Sequence, residues 1–326
     1  MTTMQAIVLK DFGGPQVLRL SDTAMPDPGP GEVRLRQTAI GVNFHDCYVR
    51  SGSYRTLALP GIPGIEGVGV IDAIGPGVAG LVVGQRAGWV SGRYGGYASH
   101  RVMPAAEVIA LPAGIGDAEL AATLMKALTV SVLVTRAHAV QAGQTVLVHA
   151  AAGGVGQLLC SWCRHLGATV IGTAGTAEKA AAAERAGAHH TILYRQEDFV
   201  ARVRDLTGGA GVAAVYDAVG KDTFAGSLAA LDYEGTLVNY GQASGPVAPL
   251  TPSDLAVRSL TLVRPIVFHY LRSPDRLAAL SARVFEAFAA GIIRPIAPLT
   301  LPLAEAARAH EVLEAQQSPG GVVLLP

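Results

Sequence analysis

The chain has 326 residues, too many for one ordinary core, so two domains are expected. Its 25 basic and 25 acidic residues balance, and no block of like charge appears, which argues against nucleic acid or an anionic membrane as a partner. Half of the residues are hydrophobic and 15% are charged, enough apolar material for sizeable cores.

The opening stretch MTTMQAIVLKDFGG has Lys10 and Asp11 soon after a short apolar run and lacks the long apolar stretch of a signal peptide. Residues 1–125 are rich in Gly, Pro and β-branched side chains. Strand-like runs such as EVRLRQTAIGVN and GVGVIDAIG lie between the turn signals PDPGPGE and GPGVAG, which predicts an irregular, mostly β domain. Within it, His45, Asp46 and Cys47 are consecutive and Glu66 follows in PGIEGVG; these residue types are the ones zinc uses. The most apolar stretch, ELAATLMKALTVSVLVTRAHAV, carries Lys126 and Arg136 and reads as a buried helix rather than a membrane span.

From residue 126 the pattern changes to alternation. TVLVHA (145–150), TVIGTA (169–174), HTILY (190–194), AAVYDAV (213–219), TLVNYG (236–241) and LTLVRP (260–265) are six apolar strand candidates, the early ones separated by helical runs. This predicts an α/β fold with a doubly wound parallel six-stranded sheet. The tail has two helical stretches, PDRLAALSARVFEAFAAG and LAEAARAHEVLEAQ, joined by a turn through IIRPIAPLTLP, and a last strand, GGVVLLP; it is expected to return to the first domain. The three cysteines, Cys47, Cys160 and Cys163, supply no disulfide framework and suit a reducing cytoplasm.

The glycine-rich turn AAAGGVGQ (150–157) follows the first of these strands and opens a helix. Gly153, Gly154 and Gly156 let the backbone approach a pyrophosphate, and the helix N-terminus presents N–H groups and a positive dipole end to it. An NAD-type site has a carboxylate near the end of the second strand to accept from the ribose 2′-hydroxyl. Here GTAGTAEK has no acid from Gly172 to Thr176, and Lys179 stands close by, which suits a 2′-phosphate and hence NADPH. Spacing alone leaves Lys179 open to a second reading, an ordinary solvated helix lysine. Tyr194, ending the third strand, adds a phenol donor to the same phosphate.

HAAAGGVGQLLCSWCRHLGATVIGTAGTAEKAAAAERAGAHHTILYRQEDF, GVNFHDCYVRSGSY, LMKALT, VYDAVGKDTF and LTLVRP together resemble the quinone oxidoreductases of the medium-chain dehydrogenase/reductase superfamily, the zinc-free, zeta-crystallin-like branch. The likeness runs collinearly along essentially the entire chain. It implies a GroES-like β domain built from 1–125 and 266–326, a Rossmann domain over 126–265, cofactor in the cleft between them, and a homodimer formed through the strand LTLVRP. By position it implies that Gly153, Gly154, Val155 and Gly156 form the pyrophosphate turn. Gly175, Thr176, Lys179 and Tyr194 would form the 2′-phosphate pocket. Asn43, Tyr48 and Thr129 would line the nicotinamide end, and Val219, Gly241, Arg264 and Pro265 would lie along the cofactor. The chain departs from the family pattern at Ala127, where glycine is common, at EAQQ, where an arginine is common, and just after Pro265, in IVFHY.

Against the zinc-dependent alcohol dehydrogenases of the same superfamily, the ligand cysteine falls on Asn43 and the ligand histidine on Ile65, with only Glu66 retained. Catalytic zinc takes three protein ligands, so no metal is expected. The four closely spaced cysteines of the structural zinc are missing as well. If the segment is extended, His45 and Cys47 share a face, but no third or fourth ligand is evident. Cys160-Ser-Trp-Cys163 lies along a helix rather than at its N-terminus and reads as core packing.

The expected activity is therefore metal-independent, NADPH-dependent reduction of a quinone. Tyr48 is the principal donor or proton source, Asn43 a second donor, and Tyr54 a further pocket residue. The closest alternative is reduction of an activated C=C bond in an enal or enone. A nucleotide- or RNA-binding structural role is a remote one, disfavoured by the neutral charge.

Overall fold

The computed structural model describes residues 2–318 and 320–326. In chain order the elements begin with β1 (Thr3–Val8), β2 (Arg19–Ala24), β3 (Glu32–Val42), α1 (Phe44–Ser51), β4 (Glu66–Ile74), β5 (Arg86–Val90), β6 (His100–Pro104) and β7 (Ile109–Ala110). After α2 (Asp117–Val132) come β8 (Thr145–Val148), α3 (Gly154–His165), β9 (Thr169–Ala174), α4 (Ala177–Arg185), β10 (His190–Leu193), α5 (Phe199–Leu206), β11 (Val212–Asp217) and α6 (Phe224–Ala230). The remainder is β12 (Leu231–Asn239), α7 (Pro252–Ala256), β13 (Thr261–Val263), α8 (Val267–Tyr270), α9 (Pro274–Ala289), β14 (Leu299–Pro302), α10 (Ala306–Glu314) and β15 (Val322–Leu325).

Two compact units result. One comprises Met1–Met125, Leu271–Ala282 and Pro295–Pro326; the other comprises Lys126–Tyr270 and Arg283–Arg294. The first holds a seven-stranded sheet, β14-β15-β3-β4-β5-β7 with β6 also on β3, and the β1–β2 pair. β3 shows why this sequence makes a strand: Val33, Leu35 and Gln37 alternate inward with period two. The buried amide of Gln37 is satisfied, donating to the Gly96 and Ala98 carbonyls and accepting from the Trp89 indole. Both ends of the chain build one core, in which Ile7, Leu9 and Ile40 pack with Leu301, Val322 and Leu324. The β15 strand pairs antiparallel with β3, and β14 pairs parallel with β15, so the turn expected through 292–302 contains a short strand.

The second unit is a six-stranded, fully parallel sheet in the order β10-β9-β8-β11-β12-β13. Its inner strands β8, β9 and β11 are short and apolar because they are buried on both faces. From β8 the chain runs outward to β9 and β10, then returns to β11 and runs the other way. β8 and β11 therefore flank the topological switch point, where such sheets bind ligands outside the strands' carboxyl ends. Cys160 and Cys163 are fully buried on α3, and burial pushes both thiols up, that of Cys160 to about 12. Residues 117–137 form a helix apolar and long enough to cross a membrane, but 72% of its apolar window is buried inside the fold, as a core helix requires.

The segment holding His45 and Cys47 is helical, not extended. Asn43 begins the helix with extended backbone, the Asp46 carboxylate accepts from the Asn43 N–H at 2.8 Å, and Gly52 ends it with φ +80°. Two residues apart on a helix, His45 and Cys47 point about 200° apart, so the shared face of an extended strand does not exist.

Candidate functional site

In the first unit the site grows from the junction of β3 and α1. The Asn43 side-chain amide donates to Glu66 at 2.7 Å, and the other carboxylate oxygen of Glu66 accepts from the Met125 backbone N–H at 3.0 Å. Glu66 is 1% exposed. Gly41 permits this arrangement, because a Cβ there would lie 2.3 Å from both the Ala121 carbonyl and the Glu66 carboxylate. These residues do not fit zinc. Asn43 is committed to Glu66, Ile65 is an apolar side chain with no exposure, and burial raises the Cys47 thiol far above its ordinary range. Among the described residues no group of three or more His, Cys, Asp or Glu is arranged to hold a metal ion.

The half-buried face of α1 carries rings. Tyr48 packs against Tyr54 with centroids 5.0 Å apart, and Phe44 lies 6.4 Å from Tyr48. His45 meets Tyr54 edge-on at 5.7 Å and stacks on Tyr94 at 5.9 Å. The Tyr54 N–H donates to the Tyr48 carbonyl at 2.9 Å, which folds the residues after Gly52 back against the helix. His45 Nε2 is 3.1 Å from the Tyr94 hydroxyl, which also bonds Thr56 at 2.5 Å. Burial pushes His45 down to about 4, so its ring is neutral near pH 7. Tyr94, which sequence reasoning did not single out, has φ +54°, an unusual backbone for an aromatic residue. Its carbonyl accepts from Arg101, whose guanidinium lies 3.6 Å from the centroid of the Trp89 ring. Burial lowers Arg101 to about 9.

Beneath α1 runs a buried polar chain. Arg50 forms a paired bridge to Glu314 at 2.7 and 3.1 Å, donates to the Gly13 carbonyl, and lies 3.4 Å from His310 Nδ1. His310 Nε2 is 2.9 Å from the Tyr97 hydroxyl, which donates to Asp46 at 3.2 Å. The directions follow from the donors available. Arginine only donates, so Nδ1 accepts; Nε2 then carries the hydrogen and donates to Tyr97, whose own proton goes to the carboxylate. Burial, and secondarily the Arg50 charge, push His310 down to about 3, consistent with that neutral ring. The chain ends on the carboxylate that holds the first turn of α1 and so fixes the helix bearing Tyr48.

In the second unit the candidate nucleotide residues gather at the carboxyl ends of the strands. Gly153 precedes α3, its N–H bonded to the Ala150 carbonyl at 2.8 Å. A Cβ on Gly156 would lie 2.3 Å from that same carbonyl, so the turn closes around glycine. Gly154 and Val155 form the first turn of α3. After β9, Thr176 caps α4 by accepting from the Lys179 N–H at 3.3 Å. β10 lies parallel beside β9, so Tyr194 emerges next to Gly175; a Cβ on Gly175 would sit 3.1 Å from the Tyr194 hydroxyl and 3.4 Å from Arg195 Nε. Arg195 is a second cation at this corner and was not singled out from the sequence. Beyond β11, Val219 donates to Asp217 at 2.8 Å. Gly241 follows β12 so closely that a Cβ would meet the Ala218 carbonyl at 2.6 Å. Arg264 reaches the Asn239 carbonyl at 2.9 Å, with Pro265 next in the chain. Thr129 is half-buried on α2.

In one unit the structure thus packs Tyr48 on Tyr54 and places Asn43, bonded to Glu66, at the start of the helix that bears Tyr48. In the other it gathers the residues after β8, β9 and β10 at one corner, and Val219, Gly241 and Arg264 at the ends of β11 to β13. Tyr94 and Arg195 join them through tertiary contacts. The Arg195 signal was a basic residue directly after Tyr194, legible only once β9 and β10 are known to be neighbours.

Comparison with known proteins adds the following. The alcohol dehydrogenase GroES-like domain family matches residues 29–113, and the zinc-binding dehydrogenase family matches residues 154–284. A 2-haloacrylate reductase from a Burkholderia species is 42% identical over 99% of both chains. A quinone oxidoreductase from Pseudomonas aeruginosa is 41% identical over 97% of both. The crystal structure of Escherichia coli quinone oxidoreductase complexed with NADPH superposes with a TM-score of 0.95 at 37% identity, covering all of both chains.

Proposed function

This chain belongs to the zinc-free quinone oxidoreductase branch of the medium-chain dehydrogenase/reductase superfamily, and on that basis we propose that it reduces quinones with NADPH and without a metal. The observation that carries the substrate class is the ring cluster on α1. His45, held neutral by burial, packs on Tyr54 and Tyr94, and Tyr54 on Tyr48, which in turn meets Phe44; this run of uncharged rings suits an uncharged ring acceptor.

NADPH, when bound, supplies the hydride; reduction of the quinone to an aromatic hydroquinone makes that transfer intrinsically favourable. The glycine turn at 153–156 would hold the pyrophosphate, and Gly175, Thr176, Lys179, Tyr194 and Arg195 would hold the 2′-phosphate. The chain's own task is orientation and charge. Tyr48 donates its hydroxyl proton to the oxygen on which charge develops. Asn43, with one amide hydrogen on Glu66, offers the second to the same region. Tyr54 and His45 keep the Tyr48 ring in place. Tyr48→Phe, which keeps the ring against the nicotinamide end and removes only the hydroxyl, is expected to lower kcat about 10- to 100-fold and to change NADPH affinity less than about threefold, measured by steady-state kinetics and calorimetry.

The second reading, reduction of an activated C=C bond, is favoured by the likeness to the 2-haloacrylate reductase. Steady-state rates with 1,4-benzoquinone, a naphthoquinone, a 2-alkenal and 2-chloroacrylate separate the two. Quinone turnover is expected to dominate, and fast alkenal or chloroacrylate turnover beside negligible quinone activity would overturn the choice. Three finer assignments complete the proposal: a GroES-like domain over 1–125 and most of the expected 266–326, with a nucleotide domain over 126–265 to which residues 266–270 and 283–294 also group, a cytoplasmic location, and a homodimer through the edge strand β13. Sedimentation velocity tests the last.

A further inference from the structure

Within the nucleotide-binding unit a continuous chain of hydrogen bonds joins the turn after β8 to the loop after β11, the two loops that flank the switch point. It starts at Asp217, which is fully buried. One carboxylate oxygen accepts from the N–H groups of Val219 at 2.8 Å and Gly220 at 3.0 Å, and the Thr223 hydroxyl bonds the same carboxylate. The other oxygen accepts from the Ser227 hydroxyl at 3.0 Å. A bond to a carboxylate is the stronger use of that single proton, so the Ser227 oxygen is left to accept from His149 Nε2 at 3.1 Å. The imidazole then has a bare Nδ1, which accepts from the Thr173 hydroxyl at 3.0 Å. The Thr173 oxygen in turn accepts from the Ala150 N–H at 3.3 Å.

Every bond in the chain runs in a consistent sense, and it ends on a residue under backbone strain. Ala150 has φ +51°, a left-handed conformation that a non-glycine residue holds only where its surroundings impose it. Its carbonyl is the atom against which Gly153 closes and Gly156 packs. His149 is 1% exposed, and the Phe199 ring meets it edge-on at 4.9 Å and 87°, fixing the plane of the imidazole. Burial lowers its pKa against the opposing pull of Asp217, in keeping with a neutral ring that donates at one nitrogen and accepts at the other.

We propose that His149 is a positioning residue for the dinucleotide: through Thr173 on one side and Ser227 and Asp217 on the other, it sets the pyrophosphate turn at 150–156 against the loop at 219–220. This inference rests on the NADPH reading given above. The test is calorimetric titration of NADPH, ADP-ribose and 2′-AMP into wild type, His149→Gln, His149→Phe and Ser227→Ala. Glutamine retains one donor and one acceptor, whereas phenylalanine fills the volume with neither. His149→Phe is expected to weaken ADP-ribose and NADPH about tenfold and 2′-AMP less than about twofold, with His149→Gln recovering most of the loss. Ser227→Ala, which removes a single hydroxyl, is expected to follow the phenylalanine pattern and stands in if that variant fails to fold. Phenylalanine and glutamine variants of equal affinity, an unchanged Ser227→Ala protein, or a parallel loss of 2′-AMP would each overturn the positioning role. Wild-type protein that binds none of the three ligands would instead overturn the NADPH reading itself.

Discussion

Lys179 and Arg195 reach the same corner by different routes. Lys179 belongs to the first turn of α4, whose cap Thr176 follows β9 at a distance of two residues; Arg195 follows β10 and approaches Gly175 from the side. Two cations beside a helix N-terminus suit a dianionic 2′-phosphate and gain little from a ribose hydroxyl. Lys179→Ala and Arg195→Ala are each expected to raise KM for NADPH about tenfold and KM for NADH less than about twofold. Steady-state kinetics with both nucleotides checks this, and equal losses for the two would remove the 2′-phosphate assignment. The lysine could be weighed from sequence because the second-strand position is defined by local spacing from the glycine turn. The arginine could not, because its relevance depends on which strand lies beside β9.

At the scale of the element, α1 shows how a short helix is held in a fixed pose. At eight residues it is marginal by itself, so its ends and its underside decide its geometry. Asp46 caps the backbone at Asn43, and Gly52 closes the other end in the left-handed region, where a Cβ would also come within 3.0 Å of Phe12. Gly52→Ala is expected to cost about 1 kcal/mol or more of stability and to lower quinone turnover without changing NADPH affinity, read by urea unfolding and kinetics. The sequence made this stretch resemble a metal cluster because histidine, aspartate and cysteine are adjacent. The helix sends those three side chains to different surroundings: His45 to the rings, Asp46 to the buried chain, and Cys47 into the core.

Across the whole first unit, the Arg50–His310–Tyr97–Asp46 chain links α1 to α10 near the other end of the sequence, over separations of 260, 213 and 51 residues. His310 in this chain and His45 outside it make stability depend on acidity. His310 is held near 3 and His45 near 4, against an ordinary 6.5. Below 6.5 the unfolded chain therefore binds protons that the folded one refuses. The stability present above pH 6.5 is lost as the pH falls toward those values, by about 1.4 kcal/mol per pH unit for each histidine. Unfolding midpoints in urea at pH 7, 6 and 5 are expected to fall steeply, and His310→Gln is expected to flatten the slope; a variant as pH-sensitive as wild type would refute the account. The sequence by itself determined the fold class, the strand alternation from residue 126 and the glycine turn, because each is written in spacing between near neighbours in the chain. It also determined that the zinc ligands are replaced, since Asn43 and Ile65 are identities rather than geometry. The tertiary structure alone decided the buried chain that fixes the pose of FHDCYVRS, that Tyr94 and Arg195 join the candidate sites, and which tautomers His149 and His310 adopt. Those outcomes depend on partners tens to hundreds of residues away, which only the packed fold brings within hydrogen-bond distance.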